Sequence, residues 1–407
     1  MLAFFRCTFS EIRQFWSNEG PAEDCFWWLD FILLLGGIKR TFTSQWKRGY
    51  LIRYFSNFVF AYQGFVFTLQ VNHSLHHEQD DMAILVFELL KLFIFSVAGS
   101  KMIMHSLLLE PILVVKNFII SNSVHSGDKD NDEFEQRKFN LYARTTMRLS
   151  ISLMFVNVVA FSIPNSITER ALGLPPQLQG FGPHITNILH CFAVSFMPFG
   201  IIPRFFTNFN TVLALLLGMR AKLRMLTHRY RQLLVQPIFG EDCDWEIISR
   251  EIRTVLDQQL EYWRFLNILK DLVGKIFFVI HYSSICTIGA FLFIAQHTGI
   301  NIFAASLASG ATFFLLEYYI LCSLVDTLQD EGDAIGDVIY ELCAKLPYRR
   351  ESHSEYVQMQ SSLMIIWTNT KYGLSMNCFG VFEISTLAFV ELANTAYMVL
   401  TFLISIG

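Results

Sequence analysis

The chain has 407 residues, of which 53% are hydrophobic, 15% aromatic and 16% charged, and its formal net charge is −4. Soluble domains carry nearer a quarter charged residues, so the composition excludes an ordinary soluble globular protein. The near-neutral balance excludes a basic nucleic-acid-binding surface. What remains is one all-α, polytopic unit embedded in a lipid bilayer.

Residues 1–50 read as a cytoplasmic N-terminal segment, and Arg6 interrupts its first short apolar run, so no cleavable signal peptide is expected. Runs of about 20 apolar residues cross a hydrocarbon core of about 30 Å. By that measure seven transmembrane helices are predicted, at 51–71, 82–100, 147–164, 186–216, 272–296, 303–325 and 381–405. Spans one to six thus occupy 51–325, and span seven closes the chain. The stretch 124–136 reads as a solvated loop. Span four runs without a clear break into 219–235, where Leu223, Leu226, Tyr230 and Leu233 recur at helical spacing. Ile252, Leu256 and Leu260 continue the pattern toward span five, making 219–270 a pair of helix extensions. Two further amphipathic stretches, 326–346 and 354–372, lie in 326–375. Their apolar faces need partners, most simply one another, in a cytoplasmic helical anchor.

Lys and Arg orient the bundle. Outside the spans, nearly all lie in 1–50, 101–146, 219–270 and 326–375, and the alternate loops hold only Arg170. The positive-inside bias then puts the N-terminus in the cytoplasm and the C-terminus outside, in a multi-pass plasma-membrane protein. The sequon Asn72-His73-Ser74 falls in the first outer loop, which makes Asn72 a candidate glycosylation site. An inside N-terminus, with no Asp-Arg-Tyr after span three and no Asn-Pro-x-x-Tyr in span seven, excludes a G-protein-coupled receptor. No G protein is required as a partner.

His73, His76 and His77 form an HxxHH box, but a di-iron site needs several such boxes facing the cytosol. A solvated outer loop is the better reading, and neither a metal nor a cofactor is expected. The chain lacks a phosphate-binding glycine loop, a Gly-x-Ser-x-Gly elbow and a His-Glu-x-x-His helix, so no enzyme is expected. No cysteine falls in an outer loop, which argues against a structural disulfide.

Glu88 and Lys91 are three apart and lie on one helix face, positioned to pair. Phe87, Phe161, Phe192, Phe196 and Phe313 crowd the outer halves of spans two to six, where Lys91, Asn157 and Glu317 are the main polar groups. Such a lining suits a small, mostly apolar organic ligand. Packing inside the bundle is the alternative for each ring, and ion pairing the alternative for each charge. Span seven carries Glu383, Glu391, Asn394, Thr395, Thr401 and Ser405, a polar stripe that fits a pore wall or a helix inside a bundle.

Three stretches of the C-terminal third stand out together: Leu260-Glu-Tyr-Trp through Phe277-Phe-Val-Ile-His-Tyr-Ser-Ser-Ile-Cys286; Tyr319-Ile-Leu-Cys322 with Leu328-Gln-Asp-Glu and Val338-Ile-Tyr340; and Phe382-Glu-Ile-Ser to Thr395-Ala-Tyr397-Met-Val-Leu400. In that order they resemble the fifth helix, the inner end of the sixth helix and the pore helix of the insect odorant and gustatory receptor superfamily. Ala396 and Leu403 stand where the family often has Thr and Gln, and the helix-five and helix-six patterns favour the odorant branch.

The resemblance implies an odorant-gated, non-selective cation channel. It implies a homotetramer, or a heterotetramer with a co-receptor, with span seven lining a central pore. It places an apolar gate at Leu400, with Leu403 and Ile404 one turn outward and Tyr397 and Thr401 bordering the pore. The stripe of Glu391, Asn394, Met398 and Ser405 lies roughly opposite Leu400 and then faces helices five and six of the same or an adjacent subunit. A gustatory receptor channel and a membrane solute transporter are the competing readings.

Overall fold

The computed structural model describes residues 25–38, 49–77, 82–162, 172–235, 245–348 and 350–406. The first helices are α1 (Cys25–Leu35), α2 (Gly49–His77), α3 (Met82–Leu107), α4 (Leu109–Ile120) and α5 (Lys129–Ser162). Two short ones follow, α6 (Pro176–Gln179) and α7 (Pro183–Ala193), then a 3₁₀ turn at Met197–Phe199. The long helices are α8 (Ile201–Val235), α9 (Trp245–Thr298) and α10 (Ile302–Lys345). After α11 (His353–Tyr372), strands β1 (Asn377–Cys378) and β2 (Phe382–Glu383) pair antiparallel and lead into α12 (Thr386–Ile406).

By length and apolarity, α8, α9, α10 and α12 can each cross a membrane. The 54 residues of α9 extend about 80 Å at 1.5 Å per residue, far beyond any hydrocarbon core. The N-terminal half of α9 and the C-terminal half of α10 are the more charged parts of these two helices. There they bundle with the end of α8 and with α11. Tyr230 donates its hydroxyl to Gln259, Gln259 Nε2 donates to Thr370 Oγ1 at 2.9 Å, and Trp245 Nε1 donates to Glu355 at 2.9 Å. Arg224 Nε donates to Glu331 at 2.6 Å and Arg220 at 3.2 Å. Burial would raise the Glu331 carboxyl, but hydrogen bonds and charge from these two guanidiniums hold it below the usual carboxylate range. The amphipathic stretches do pack on one another, as their periodicity requires.

Several sequence-derived boundaries move. Residues 186–216 are not one helix: α7 ends at Ala193 and α8 begins at Ile201. Pro198 and Pro203 offer no backbone N–H, and Gly200 lies outside the helical region at φ −110°, ψ −107°, so an unbroken ladder cannot form. The second span continues past residue 100 to Leu107 and buries Lys101, which the hydropathy pattern assigned to the cytoplasmic side. The chain then bends by 62° at Leu108, with Pro111 in the first turn of α4, where a missing N–H is tolerated.

Cys25–Leu35, expected in a cytoplasmic segment, is an apolar helix buried against α8 and α5. At eleven residues it is too short to span. The expected loop 124–136 becomes helical at Lys129: Asp128 Oδ1 accepts from the Asp130 amide at 3.0 Å, and Asp132 reaches back to the Ser126 amide at 3.0 Å. The loop expected to start at residue 72 starts later, because α2 continues to His77. Asn72 and His73 therefore lie on helix and Ser74 is buried, a setting unlike the open loop expected of a glycosylation site. The last helix begins at Thr386 instead of Val381. Phe379 (φ 50°) and Gly380 (φ 72°) turn the hairpin before it, and Asp326 Oδ2 accepts from the Thr386 amide at 2.9 Å.

Candidate ligand-binding site

A cavity of about 170 Å³ opens at the end of the bundle away from α11. Its walls come from α2 (Phe67), α3 (Phe87, Lys91, Ile94), α8 (Ile201, Ile202, Phe205, Phe206), α9 (Phe291) and α10 (Leu307, Phe313, Phe314). Leu172 and Met197 complete the apolar lining. Helical spacing builds this surface: Ile201, Ile202, Phe205 and Phe206 share one face of α8, and Ser306, Gly310, Phe313 and Phe314 one face of α10. Gly310 matters because a Cβ there would stand 2.9 Å from the Phe291 ring, so glycine lets α9 and α10 close behind the cavity.

The polar side chains in the lining are Lys91 and Ser306. Lys91 Nζ donates to Glu88 at 2.8 Å and to Gln70 Oε1 at 2.8 Å, and sits 5.5 Å and 5.1 Å from the ring centroids of Phe67 and Phe87. The Glu88–Lys91 pair expected from their spacing is present. A buried ammonium held by a carboxylate, an amide and two aromatic faces is tolerable in an apolar interior and presents positive potential to an occupant.

Glu317, expected in the pocket, lies outside the lining. It is 1% exposed, 3.8 Å from Lys101 Nζ, which is equally buried and donates to the Phe205 carbonyl at 3.3 Å. The Lys101 ammonium also rests 3.8 Å from the centroid of the Phe205 ring, itself a cavity wall. The ion pair therefore ties α3 to α10 and contacts α8 directly behind the cavity.

Of the other expected contacts, Phe87 and Phe313 line the cavity. Phe192 and Phe196 stack on each other at 4.9 Å in an aromatic cluster against Phe55 of α2, away from the lining. The side chains of Asn157 and Phe161 lie outside the described residues. Sequence reasoning missed Phe67, Met197, Phe205, Phe206 and Ser306. The spacing on α8 was the available signal, hidden by reading 186–216 as one continuous span.

On α12, Ala388, Leu392 and Ala396 are buried against the chain's own helices, with Val399 and Leu403 packed beside them. The exposed arc opposite carries Val390, Asn394, Tyr397, Thr401 and Ile404. Leu400 is half-buried on the flank, and Leu403 faces the bundle. The stripe of Glu391, Asn394, Met398 and Ser405 is exposed and is not covered by helices of its own chain, which leaves an adjacent subunit as the partner of the two expected for it. Glu391, at its edge, is near enough to His281 of α9 to act on it electrostatically. Among the described residues no cluster of His, Cys, Asp and Glu is arranged to hold a metal ion.

No family model and no curated protein matches the chain. The structure is similar to olfactory receptor OR5 from Machilis hrabei in complex with eugenol, with a TM-score of 0.70 and 11% identity over 94% of this chain and 98% of that one. It is also similar to OR5 without that ligand, with a TM-score of 0.68 and 12% identity over 93% and 96%. At this identity the likeness defines a shared fold.

Proposed function

We propose that the protein is an odorant receptor working as a ligand-gated cation channel, and neither an enzyme nor a G-protein-coupled receptor. The observation that carries this reading is the almost wholly apolar cavity with one buried ammonium, set in a fold shared with olfactory receptors. An engineered apolar cavity of about 150 Å³ in another protein admits benzene, so about 170 Å³ suits a ligand built on a single ring. Lys91 adds a preference for one oxygen acceptor on that ligand. A sugar-binding gustatory site would want carboxylates and amides, and the lining offers neither. The broken α7–α8 segment is a feature that solute transporters share, but the long extramembrane bundle has no role in that reading.

In the working assembly α2, α3, α5, the α7–α8 pair, α9, α10 and α12 span the plasma membrane seven times, N-terminus in the cytosol and C-terminus outside. Four subunits, identical or including a co-receptor, surround a cation pore with the exposed arc of α12 toward the axis. Tyr397, Thr401 and Ile404 then border the pore, and Leu400 supplies an apolar constriction from the flank, the kind of ring that closes a water column.

Whole-cell current from cells expressing this chain, alone and with a co-receptor, tests the reading against a panel of single-ring volatile phenols, ethers and aldehydes. The expected result is ligand-dependent cation current whose agonist ranking shifts toward larger molecules in Phe313→Ala, with unit conductance unchanged. A ranking indifferent to Phe313→Ala places the ligand elsewhere. Absence of any current, together with no ligand-dependent thermal shift of purified protein, rejects the receptor reading.

A further inference from the structure

The break between α7 and α8 is bridged by one side chain from another helix. In an unbroken helix the Ala193 carbonyl would accept from the Met197 amide, and the Ile201 amide would donate to the Met197 carbonyl. Here Met197 N donates to the Val194 carbonyl at 3.1 Å, and the Met197 carbonyl accepts from Gly200 N at 3.0 Å. Both orphaned groups turn to Gln63 of α2, which is fully buried. Its Nε2 donates to the Ala193 carbonyl at 3.3 Å, and its Oε1 accepts from the Ile201 amide at 3.2 Å. A Cβ on Gly200 would collide with that same amide, so glycine makes the approach possible. Arg204, also fully buried, donates to the Gly200 carbonyl at 2.5 Å and to Asn57 Oδ1 at 2.6 Å, fixing the start of α8 to α2 a second time.

Inside a bilayer freed backbone groups need a partner, and each one left bare costs several kcal/mol. A primary amide is one of the few side chains that can donate to a carbonyl and accept from an amide at once. Lys or Met at this position would satisfy one end of the break or neither. The break carries Met197 and sets the first turns of α8, whose Ile201, Ile202, Phe205 and Phe206 wall the cavity. Gln63 itself is not in the lining.

We propose that Gln63 is the positioning residue of this cavity, setting the height and rotation of the α8 wall by bridging the two ends of the break. The inference rests on the reading of the cavity as the ligand site. It makes residue 63 a determinant of ligand selectivity without ligand contact.

The test compares Gln63→Met, which keeps volume but loses both hydrogen bonds, with Gln63→Glu, which keeps the acceptor and can donate only while its carboxyl is neutral. Tyr62→Phe is the control: its hydroxyl donates to the Leu189 carbonyl within α7, short of the break. The readouts are agonist ranking and half-maximal concentration across the single-ring panel, with surface expression and ion selectivity measured alongside. Gln63→Met is expected to reorder the agonists and shift half-maximal concentrations about tenfold, the size of one lost buried hydrogen bond. Maximal current and ion selectivity stay unchanged, Gln63→Glu falls between, and Tyr62→Phe matches the wild type. If Gln63→Met reaches the surface with the wild-type ranking while Phe313→Ala alters it, the cavity reading stands and the role of Gln63 is overturned. If neither alters the ranking, the cavity reading itself fails. If Gln63→Met and Gln63→Glu both fail to reach the surface, Gln63 is a folding residue and the proposal falls.

Discussion

The buried pair of Lys101 and Glu317 gives the sharpest energetic expectation. Two unit charges 3.8 Å apart attract by about 4 kcal/mol at the effective dielectric of about 20 that suits protein sites. Desolvation offsets much of that gain, but removing one partner strands the other charge in the bundle at a cost of about 3–5 kcal/mol. Lys101→Met and Glu317→Leu should each destabilise the purified protein by that amount. At roughly 2–4 °C per kcal/mol for chains of 150–250 residues, and less for a longer one, the fall in Tm is about 5–10 °C. The double variant Lys101→Met/Glu317→Leu leaves no stranded charge and should recover most of the loss, since apolar replacements of a buried pair are often neutral or better. Thermal unfolding in detergent, followed by tryptophan fluorescence, completes the cycle. A double variant whose loss equals the sum of the singles would falsify the coupling and make the two residues independent packing elements.

Where the ends of α8 and α10 meet, the Glu331 carboxyl is held low by Arg224 and Arg220 against the opposing effect of burial, so its folded-state pKa lies below the unfolded one. Its contribution is therefore complete above the ordinary carboxylate range and is lost as pH falls through the lowered value; Glu331→Gln should flatten the acid limb of a stability-versus-pH curve, and an unchanged limb refutes the assignment. On α12, Leu400→Ser should wet the proposed constriction and give cation current without ligand, with Ala388→Ser, buried on the bundle face, as a control that leaves selectivity alone. A Leu400→Ser channel that stays shut at rest with wild-type selectivity moves the gate to the exposed arc. Cysteine substitutions at Thr401 and at Leu392 separate the two faces further: a water-soluble thiol reagent is expected to block current only at Thr401, and block at Leu392 alone would invert the assignment of the pore face.

The sequence makes the long helices and the bundle of their extensions legible because both rest on local periodicity. Leu223, Leu226, Tyr230 and Leu233 keep helical spacing, and all four are buried. Boundaries set by tertiary contacts escape the same reasoning. Lys101 ends an apolar run in one dimension, so hydropathy stops the second span before it. In three dimensions Glu317 and the Phe205 carbonyl receive the ammonium, and the helix runs on to Leu107. Hydropathy registers the cost of a charge in the membrane and carries no information on a partner far along the chain.

The break before α8 fails to register for the opposite reason. Pro198, Gly200 and Pro203 are visible punctuation, but Val194–Gly200 is apolar enough to continue a span, and the groups it frees are satisfied by Gln63 and Arg204. A buried glutamine in the middle of an apolar helix was the signal: a primary amide in hydrocarbon needs partners for both its ends. The same reasoning explains which ligand contacts the sequence could name. Phe87, Lys91 and Phe313 sit on helices that run unbroken past the cavity, so their faces follow from spacing alone. Met197, Phe205 and Phe206 sit at or just after the break, where register is reset by a side chain from α2. The cavity therefore depends on a contact between distant parts of the chain, and a change at residue 63 reaches the ligand through the backbone of α8.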